Sequence, residues 1–365
     1  MHIEEFDFDL PDDLVAQYPA ERRDASRLMM LDRQNGGVEH LIFADITECL
    51  RPEDILVLNE TRVVPARLHG RKERTGGRIE LLLLRRESKD GTWLALGRPL
   101  RGLQAGDGIR LDRGGWRIDV VGRVGDRVRL RLPADVVTTS DDDPTGLAGL
   151  LTMVGEAGDI PLPPYIRRSP ESIDIERYQT VFARDPGSIA APTAGLHFTD
   201  ELLDRVRARG VAVEKLVLHV GPGTFEPVRT EDPRQHQLEA EYFRVSEDTV
   251  RHIEARRRAG GRCIAVGTTT VRTLETCAAG GSLRAGEGWT DLLICPPHQF
   301  RAVDAMVTNF HLPQSSLLLL VSALADQQRL LAAYRLAVAQ GYRFYSYGDA
   351  MFIYCALLTT VIIPA

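Results

Sequence analysis

The sequence predicts an α/β fold: a layered, mainly parallel sheet with flanking helices, accompanied by a small all-β, barrel-like region. Two patterns carry this expectation. Short apolar or alternating runs broken by glycine turns occupy residues 63 to 132. From Tyr178 onward, helical patterns alternate with strands, which is the grammar of a sheet covered by helices. The chain has 365 residues, 44% hydrophobic and 26% charged, so it can fill two such units with an ordinary globular composition.

The elements follow in order. Asp54-Ile-Leu-Val-Leu-Asn59 reads as a buried strand that ends in a polar fork at Asn59, Thr61 and Arg62. Ile79–Leu84, Trp93–Leu96, Trp116–Val121 and Arg127–Leu132 are the strands of the β-region. Gly76-Gly77, Asp90-Gly91, Gly114-Gly115 and Gly125-Asp126 are its turns, so a small barrel or sandwich is expected. Thr138 to Pro144 is a polar loop, and Pro161-Leu-Pro-Pro-Tyr165 a stiff connector. Thr199 caps a helix with Asp200 and Glu201 in its first turn, Phe198 placed to staple Leu203, and Gly210 at its end. Val211 to Val220 is a strand that runs into Gly221. Ser246 caps a second helix, ended by Gly260-Gly261. Cys263–Val266 is a buried strand, and Gly267 turns it into the helix of Arg272 and Leu274. Ser315 or Ser316 opens an apolar helix, and Asp326 opens another that stops at Gly341.

Composition excludes several classes. The start, Met-His-Ile-Glu-Glu-Phe-Asp, lacks the basic and apolar regions of a signal peptide, and no run of 18 apolar residues spans a membrane. The five cysteines are scattered without a Cys-x-x-Cys pair, so a reducing cytoplasm, no disulfide frame and no metal site are expected. The net charge of −6 is uneven: residues 63–132 hold 17 Lys+Arg against 8 Asp+Glu, or +9, leaving −15 for the rest. A basic region on an acidic protein suits a polyanion such as a nucleic acid, and alternating arginines equally suit the wet face of a sheet.

The chemistry-bearing residues cluster at predicted element ends. Gly267-Thr268-Thr269-Thr270 leads a strand into a helix, where open backbone N–H groups and hydroxyls can hold an anion or serve as simple caps. Gly221-Pro-Gly223-Thr224 is a second strand-end loop, whose glycines allow close backbone approach to a ligand or make a plain turn. His197, His219, His236 and His311 each stand near such an end and are candidate proton carriers, or hydrogen-bonded structural residues. Arg343-Phe-Tyr-Ser-Tyr347-Gly-Asp349 joins aromatics to a charged turn, for base stacking or core packing. The nucleotide P-loop, the dinucleotide Gly-x-Gly-x-x-Gly and the Gly-x-Ser-x-Gly elbow are all missing.

Taken together, Asn59-Glu-Thr-Arg-Val-Val-Pro-Ala-Arg67, Ala190-Ala-Pro-Thr-Ala-Gly-Leu-His-Phe198, Leu218-His-Val-Gly-Pro-Gly-Thr-Phe225, Ala265–Arg272, Val307–Pro313 and Tyr345–Met351 are more specific than any one of them. The series resembles the S-adenosylmethionine:tRNA ribosyltransferase-isomerases of queuosine synthesis, over nearly the whole chain. The resemblance implies that residues 63–159 are inserted into a catalytic unit made of 1–62 and 160–365. It implies transfer of the ribosyl part of S-adenosylmethionine to 7-aminomethyl-7-deazaguanine in a tRNA anticodon. S-adenosylmethionine is then a co-substrate, with no resident cofactor or metal, in a cytoplasmic monomer away from membranes. The sulfonium acidifies its neighbouring C5′ hydrogen, so a base is needed, and departing adenine wants a proton. His197 is the leading candidate for this work, because it stands just before the Thr199 helix cap, with His219 and His311 as rivals. Asn59, Thr61, Arg62, Thr193, Gly221, Gly223, Thr224, Thr268, Thr269, Thr270, Arg272, Asn309 and Asp349 are the expected substrate contacts. Arg67, Arg71, Lys72 and Arg74 are the expected tRNA contacts. The chain departs from the family pattern at Cys295-Pro-Pro-His298, where Tyr-Pro-Gly and an aromatic are usual, at Glu239, where histidine is common, and at Asp326, where glycine is usual. The competing readings are a non-catalytic tRNA-binding protein with the same fold and an S-adenosylmethionine-dependent methyltransferase.

Overall fold

The computed structural model describes residues 1–88, 90–137, 147–225 and 227–355. The polar stretch from 138 to 144 and the apolar tail from 356 lie outside the described residues.

The body is a nine-stranded sheet. Its N-terminal strands are β1 (Arg27–Asp32), β2 (Val38–Ile42) and β3 (Ile55–Asn59). A short β4 (Thr61–Val63) leads out of it. The chain then forms β5 (Arg67–Lys72), β6 (Arg78–Arg86), β7 (Thr92–Arg98), β8 (Gly108–Leu111), β9 (Arg117–Val124) and β10 (Arg127–Arg131). These six strands pair only antiparallel, and β5–β8 pairing closes them into a barrel. α1 (Leu147–Ala157) lays Leu150, Met153 and Val154 into the same apolar cluster as Leu81, Ile109 and Val128. β11 (Gly158–Asp159) pairs with β5 and brings the chain back. Gly158 has no room for a side chain there, since a Cβ would stand 1.7 Å from the Pro65 carbonyl oxygen.

The return path runs through α2 (Ser172–Arg177) to β12 (Asp185–Ser188), which pairs parallel with β4 as a two-stranded ribbon beside the barrel. α3 (Asp200–Ala208), β13 (Ala212–Leu218), β14 (Glu241–Val245), α4 (Glu247–Arg258), β15 (Cys263–Val266), α5 (Thr268–Cys277), β16 (Gly286–Thr290), β17 (Ala305–Asn309), α6 (Ser316–Ala325), α7 (Gln327–Ala339) and β18 (Ala350–Tyr354) complete the body. The sheet order is β16-β14-β13-β3-β15-β17-β18-β1-β2.

The body has the helix-covered sheet that the sequence predicts, but the sheet is mixed. Its central block β13-β3-β15-β17 is parallel, while β14, β16 and β2 add antiparallel edges and β18 runs against β17. Both faces are covered, so strands alternate between two cores rather than between core and water. Met29, Leu31, Ile55 and Val57 pack under α4–α7, whereas Leu28, Met30, Leu56 and Leu58 pack under α3 and Phe43. β18 lies between β17 and β1, not at an edge, and is buried up to Ile353.

Candidate active site

β3, β13, β15 and β17 are mutually parallel, so their carboxyl ends emerge on one edge of the sheet. Asn59, His219, Gly267 and Asn309 stand at or just after those ends. Crevices beyond strand ends are where open α/β sheets hold ligands. Here a crevice of about 380 Å³ is lined by Thr193, Val220, Thr268, Thr269, Asn309 and His311. α5 opens into it without a side-chain cap, because Gly267 at φ 89 turns the chain sharply out of β15. Asn309 is 2% exposed; its Nδ2 donates to the Tyr345 carbonyl at 3.0 Å and contacts His197 Nε2 at 3.2 Å, while its Oδ1 is buried without a partner among the described residues.

A second, open cleft of about 630 Å³ separates the body from the barrel. His219, Gly221, Glu241, Tyr242 and Trp289 line one wall, and Arg85 and Trp93 the other. Val220 borders both spaces. His219 Nδ1 is 2.8 Å from the Thr61 hydroxyl, and its ring stacks on Tyr242. Its Nε2 faces Asp185 at 3.9 Å, beyond hydrogen-bond reach. Burial lowers the His219 pKa to about 4, against the pull of Asp185. Gly187, at φ 150, makes room for this ring: a Cβ there would stand 2.5 Å from Nε2.

The other two histidines are held differently. His197 Nδ1 is 2.7 Å from the Ser26 hydroxyl, its Nε2 meets Asn309, and its ring stacks on Phe43. Burial lowers its pKa to about 4. His311 Nε2 meets the Thr308 hydroxyl at 2.7 Å, and burial lowers its pKa to about 3. All three imidazoles are therefore neutral at neutral pH. Among the described residues, no group of three or more His, Cys, Asp or Glu is placed to hold a metal ion.

A model of the queuosine biosynthesis protein family matches residues 3–353 of this chain. A relative from Symbiobacterium thermophilum named S-adenosylmethionine:tRNA ribosyltransferase-isomerase is 52% identical over 97% of this chain and 100% of its own length. One of the same name from Geotalea uraniireducens is 50% identical over the same shares. A crystal structure of S-adenosylmethionine tRNA ribosyltransferase from Thermotoga maritima is 38% identical, covers 96% of this chain and 99% of its own, and has a TM-score of 0.54. The chain belongs to the queuosine biosynthesis protein family. It is an enzyme of the ribosyltransferase-isomerase kind.

Against the residues expected from the sequence, the crevice and cleft of this family member bring together Thr193, His219, Gly221, Thr268, Thr269, Asn309 and His311. Several other expected contacts are held by the fold or lie in its turns. Asn59 Nδ2 donates to the Leu218 carbonyl and the Thr269 hydroxyl, and its Oδ1 accepts from the Thr61 and Leu218 main chain. Thr270 donates to the Val266 carbonyl and is fully buried. Asp349 is clamped by Arg27 and the Arg343 main chain. Arg272 is buried in an ion pair with Glu241 and donates to the Leu292 carbonyl. Gly223 and Thr224 lie in the short turn Pro222–Phe225.

The expected tRNA contacts differ in their settings. Lys72 is 4% exposed and donates to the Pro99 and Arg101 carbonyls at 2.7 and 2.8 Å, so it faces into the barrel. Arg67 faces Glu80, Arg71 faces Asp112 and Arg74 faces Asp107. Phe344, Tyr345 and Tyr347 are all buried, and Tyr345 also lines a crevice with Thr193, Asn309 and His311. The sequence reading missed Glu241, whose Oε1 accepts from the Gly221 main-chain N–H at 2.7 Å and so holds the loop after His219. It also missed Tyr242 and the half-exposed Trp289, which extend an aromatic row from His219 to the surface. Spacing gives no sign of either, because both depend on the pairing of β14 with β13 and β16.

Proposed function

We propose that this chain transfers and isomerises the ribosyl moiety of S-adenosylmethionine onto 7-aminomethyl-7-deazaguanine in a tRNA anticodon, giving epoxyqueuosine-tRNA with release of adenine and methionine. The observation that carries this reading is identity of 52% across the whole length of a relative of that name. S-adenosylmethionine acts as co-substrate, with no resident cofactor. The protein works as a cytoplasmic monomer, with residues 63–159 as a unit inserted into the catalytic unit of 1–62 and 160–365.

The amino-acid end of S-adenosylmethionine sits in the strand-end crevice. The open N-terminus of α5, with the Thr268 and Thr269 hydroxyls, takes its carboxylate. Asn309 Oδ1 accepts from its ammonium, which ends the isolation of a buried acceptor. The ribosyl carbon then points past Val220 toward His219. A neutral His219, held by Thr61 at one nitrogen and unbonded at the other, takes the C5′ proton beside the sulfonium. Asp185 stabilises the imidazolium that forms, and the same proton is available to departing adenine. His197 becomes a positioning residue: it holds the Asn309 amide so that Oδ1 is left for the ligand. This moves the leading acid/base role from His197 to His219.

Purified protein given S-adenosylmethionine and tRNA bearing the aminomethyl-deazaguanine should release adenine and methionine in step with a mass gain on the tRNA. Release of S-adenosylhomocysteine would mark a methyltransferase, and tight tRNA binding with no released adenine would mark a mere binder. Either result sinks the reading.

A further inference from the structure

A groove of about 1390 Å³ lies where the barrel meets the body, beside the β4–β12 ribbon. Val64, Pro65 and Gly158 form part of its wall, and Ile175 of α2 adds an apolar side chain that is 66% exposed. Three arginines line it, and they are not alike. Arg113 is held by Asp159 at 2.7 Å and by the Ala157 and Gly158 carbonyls. Arg62 and Arg184 are exposed, and among the described residues neither guanidinium has a hydrogen-bond or ion-pair partner.

The carboxylates of the groove do not neutralise that pair. Asp159 is taken by Arg113 and faces His69 at 3.6 Å. Glu171 accepts from the Tyr18 hydroxyl at 2.9 Å and faces Arg168 at 3.8 Å. Arg62 and Arg184 are also fixed close together. The Arg184 main-chain N–H donates to the Glu60 carbonyl at 2.8 Å, and Pro186 pairs with Arg62 across the ribbon. Two guanidinium forks, uncompensated among the described residues, beside an open groove with an apolar patch match a polymer that repeats phosphate and carries flat apolar faces.

The ribbon connects this groove to the chemistry. Thr61 and Arg62 are neighbours on β4, so their side chains leave opposite faces of the strand. Thr61 goes to His219, and Arg62 goes to the groove. Gly187 and Ile189 of the same segment line the His219 cleft, while Arg184 and Pro186 line the groove. A phosphate gripped by Arg62 is thus one strand away from the imidazole.

We infer that this groove is the docking surface for the sugar–phosphate backbone of a single-stranded RNA loop, with Arg62 and Arg184 as its phosphate contacts. The inference rests on the proposed tRNA-modifying reading and locates its substrate. It shifts RNA contact away from Arg67, Arg71 and Arg74, whose charges are met by carboxylates of the barrel.

The test is equilibrium binding of an unmodified tRNA transcript across a salt series, with full-length Arg62→Gln, Arg184→Gln, the double variant and Arg71→Gln. Each groove substitution should weaken binding severalfold and flatten the log–log salt slope by about 0.7–0.9, as for one lost phosphate contact. The double variant should lose about twice that slope, with its melting temperature and its S-adenosylmethionine affinity by calorimetry unchanged. Arg71→Gln should move the slope less than either. An unmoved slope in the double variant, or a larger effect from Arg71→Gln, overturns the inference. The readout needs no turnover. A wild type that modifies tRNA while the double variant binds normally defeats the groove alone. A wild type that binds RNA through these arginines and releases no adenine defeats the proposed reaction alone.

Discussion

Three buried histidines with lowered pKa values differ at the residue scale in what their ring nitrogens touch. His197 has both nitrogens engaged, whereas His219 has one engaged and one open toward the cleft. A general base needs a free lone pair within reach of its substrate, which favours His219 over His197. His219→Ala should reduce turnover on the order of 10²-fold or more while S-adenosylmethionine affinity and fold survive. Gly187→Ala should act in the same direction, since its Cβ would meet Nε2 at 2.5 Å. Because burial holds the pKa near 4, kcat/KM should show no fall centred at the ordinary histidine value of about 6.5. Full turnover by a folded His219→Ala protein would return the role to His311 or His197. Asp326 shows a different kind of residue-scale logic. It adopts φ 73, a conformation that suits the glycine usual in the family, yet its carboxylate accepts from the Gln328 and Arg329 N–H groups and so caps α7.

At the scale of elements, local chemistry made some pieces legible and long-range pairing hid others. Thr199, Ser246, Ser315 and Asp326 cap α3, α4, α6 and α7 as their sequences announce, and Cys263–Val266 is β15 to the residue. β5 was not legible, because Arg67-Leu-His-Gly-Arg-Lys72 offers one large apolar side chain and gains its burial only by closing the barrel against β8. α1 was hidden too, since its two glycines and apolar run carry no helical punctuation. The strand-end motifs of the site were legible, since glycines, threonines and histidines declare themselves. Glu241 was not, because its meeting with Gly221 and Arg272 is set by register. That triad yields a prediction. Glu241→Gln keeps an acceptor for Gly221 but leaves the Arg272 cation, 5% exposed, without its counter-charge. It should cost about 3–5 kcal/mol in urea melts, the usual penalty for breaking a buried pair, and Glu241→Gln with Arg272→Met should recover part of it. A loss below about 1 kcal/mol would mean that water reaches the pair.

At the scale of the whole molecule, the same burial that keeps the histidines neutral makes the fold sensitive to acid. In the unfolded chain a histidine titrates near about 6.5. In the folded protein, His197 and His219 wait until about 4 and His311 until about 3. Between those values the unfolded state binds more protons than the folded one, so stability must fall as pH falls. The contribution is whole above about pH 6.5, declines through the window, and is exhausted below the folded values. At pH 5 each histidine withdraws roughly 2 kcal/mol, and three together approach the total stability of an ordinary domain, about 5–15 kcal/mol. Carboxylates act later. Burial works to raise Asp54 and Asp174, but their bonds to Arg262 and Arg168 outweigh it and hold both below the usual range, so their loss begins only below about pH 4. The urea midpoint should therefore drop steeply from about pH 6.5 to 5, before the Asp54 and Asp174 carboxylates begin to be lost. His197→Asn should be less stable than wild type at neutral pH, having lost the Phe43 stacking, yet show a shallower slope through that window. A midpoint that stays level down to about pH 5 would show that these imidazoles take up protons without leaving the fold.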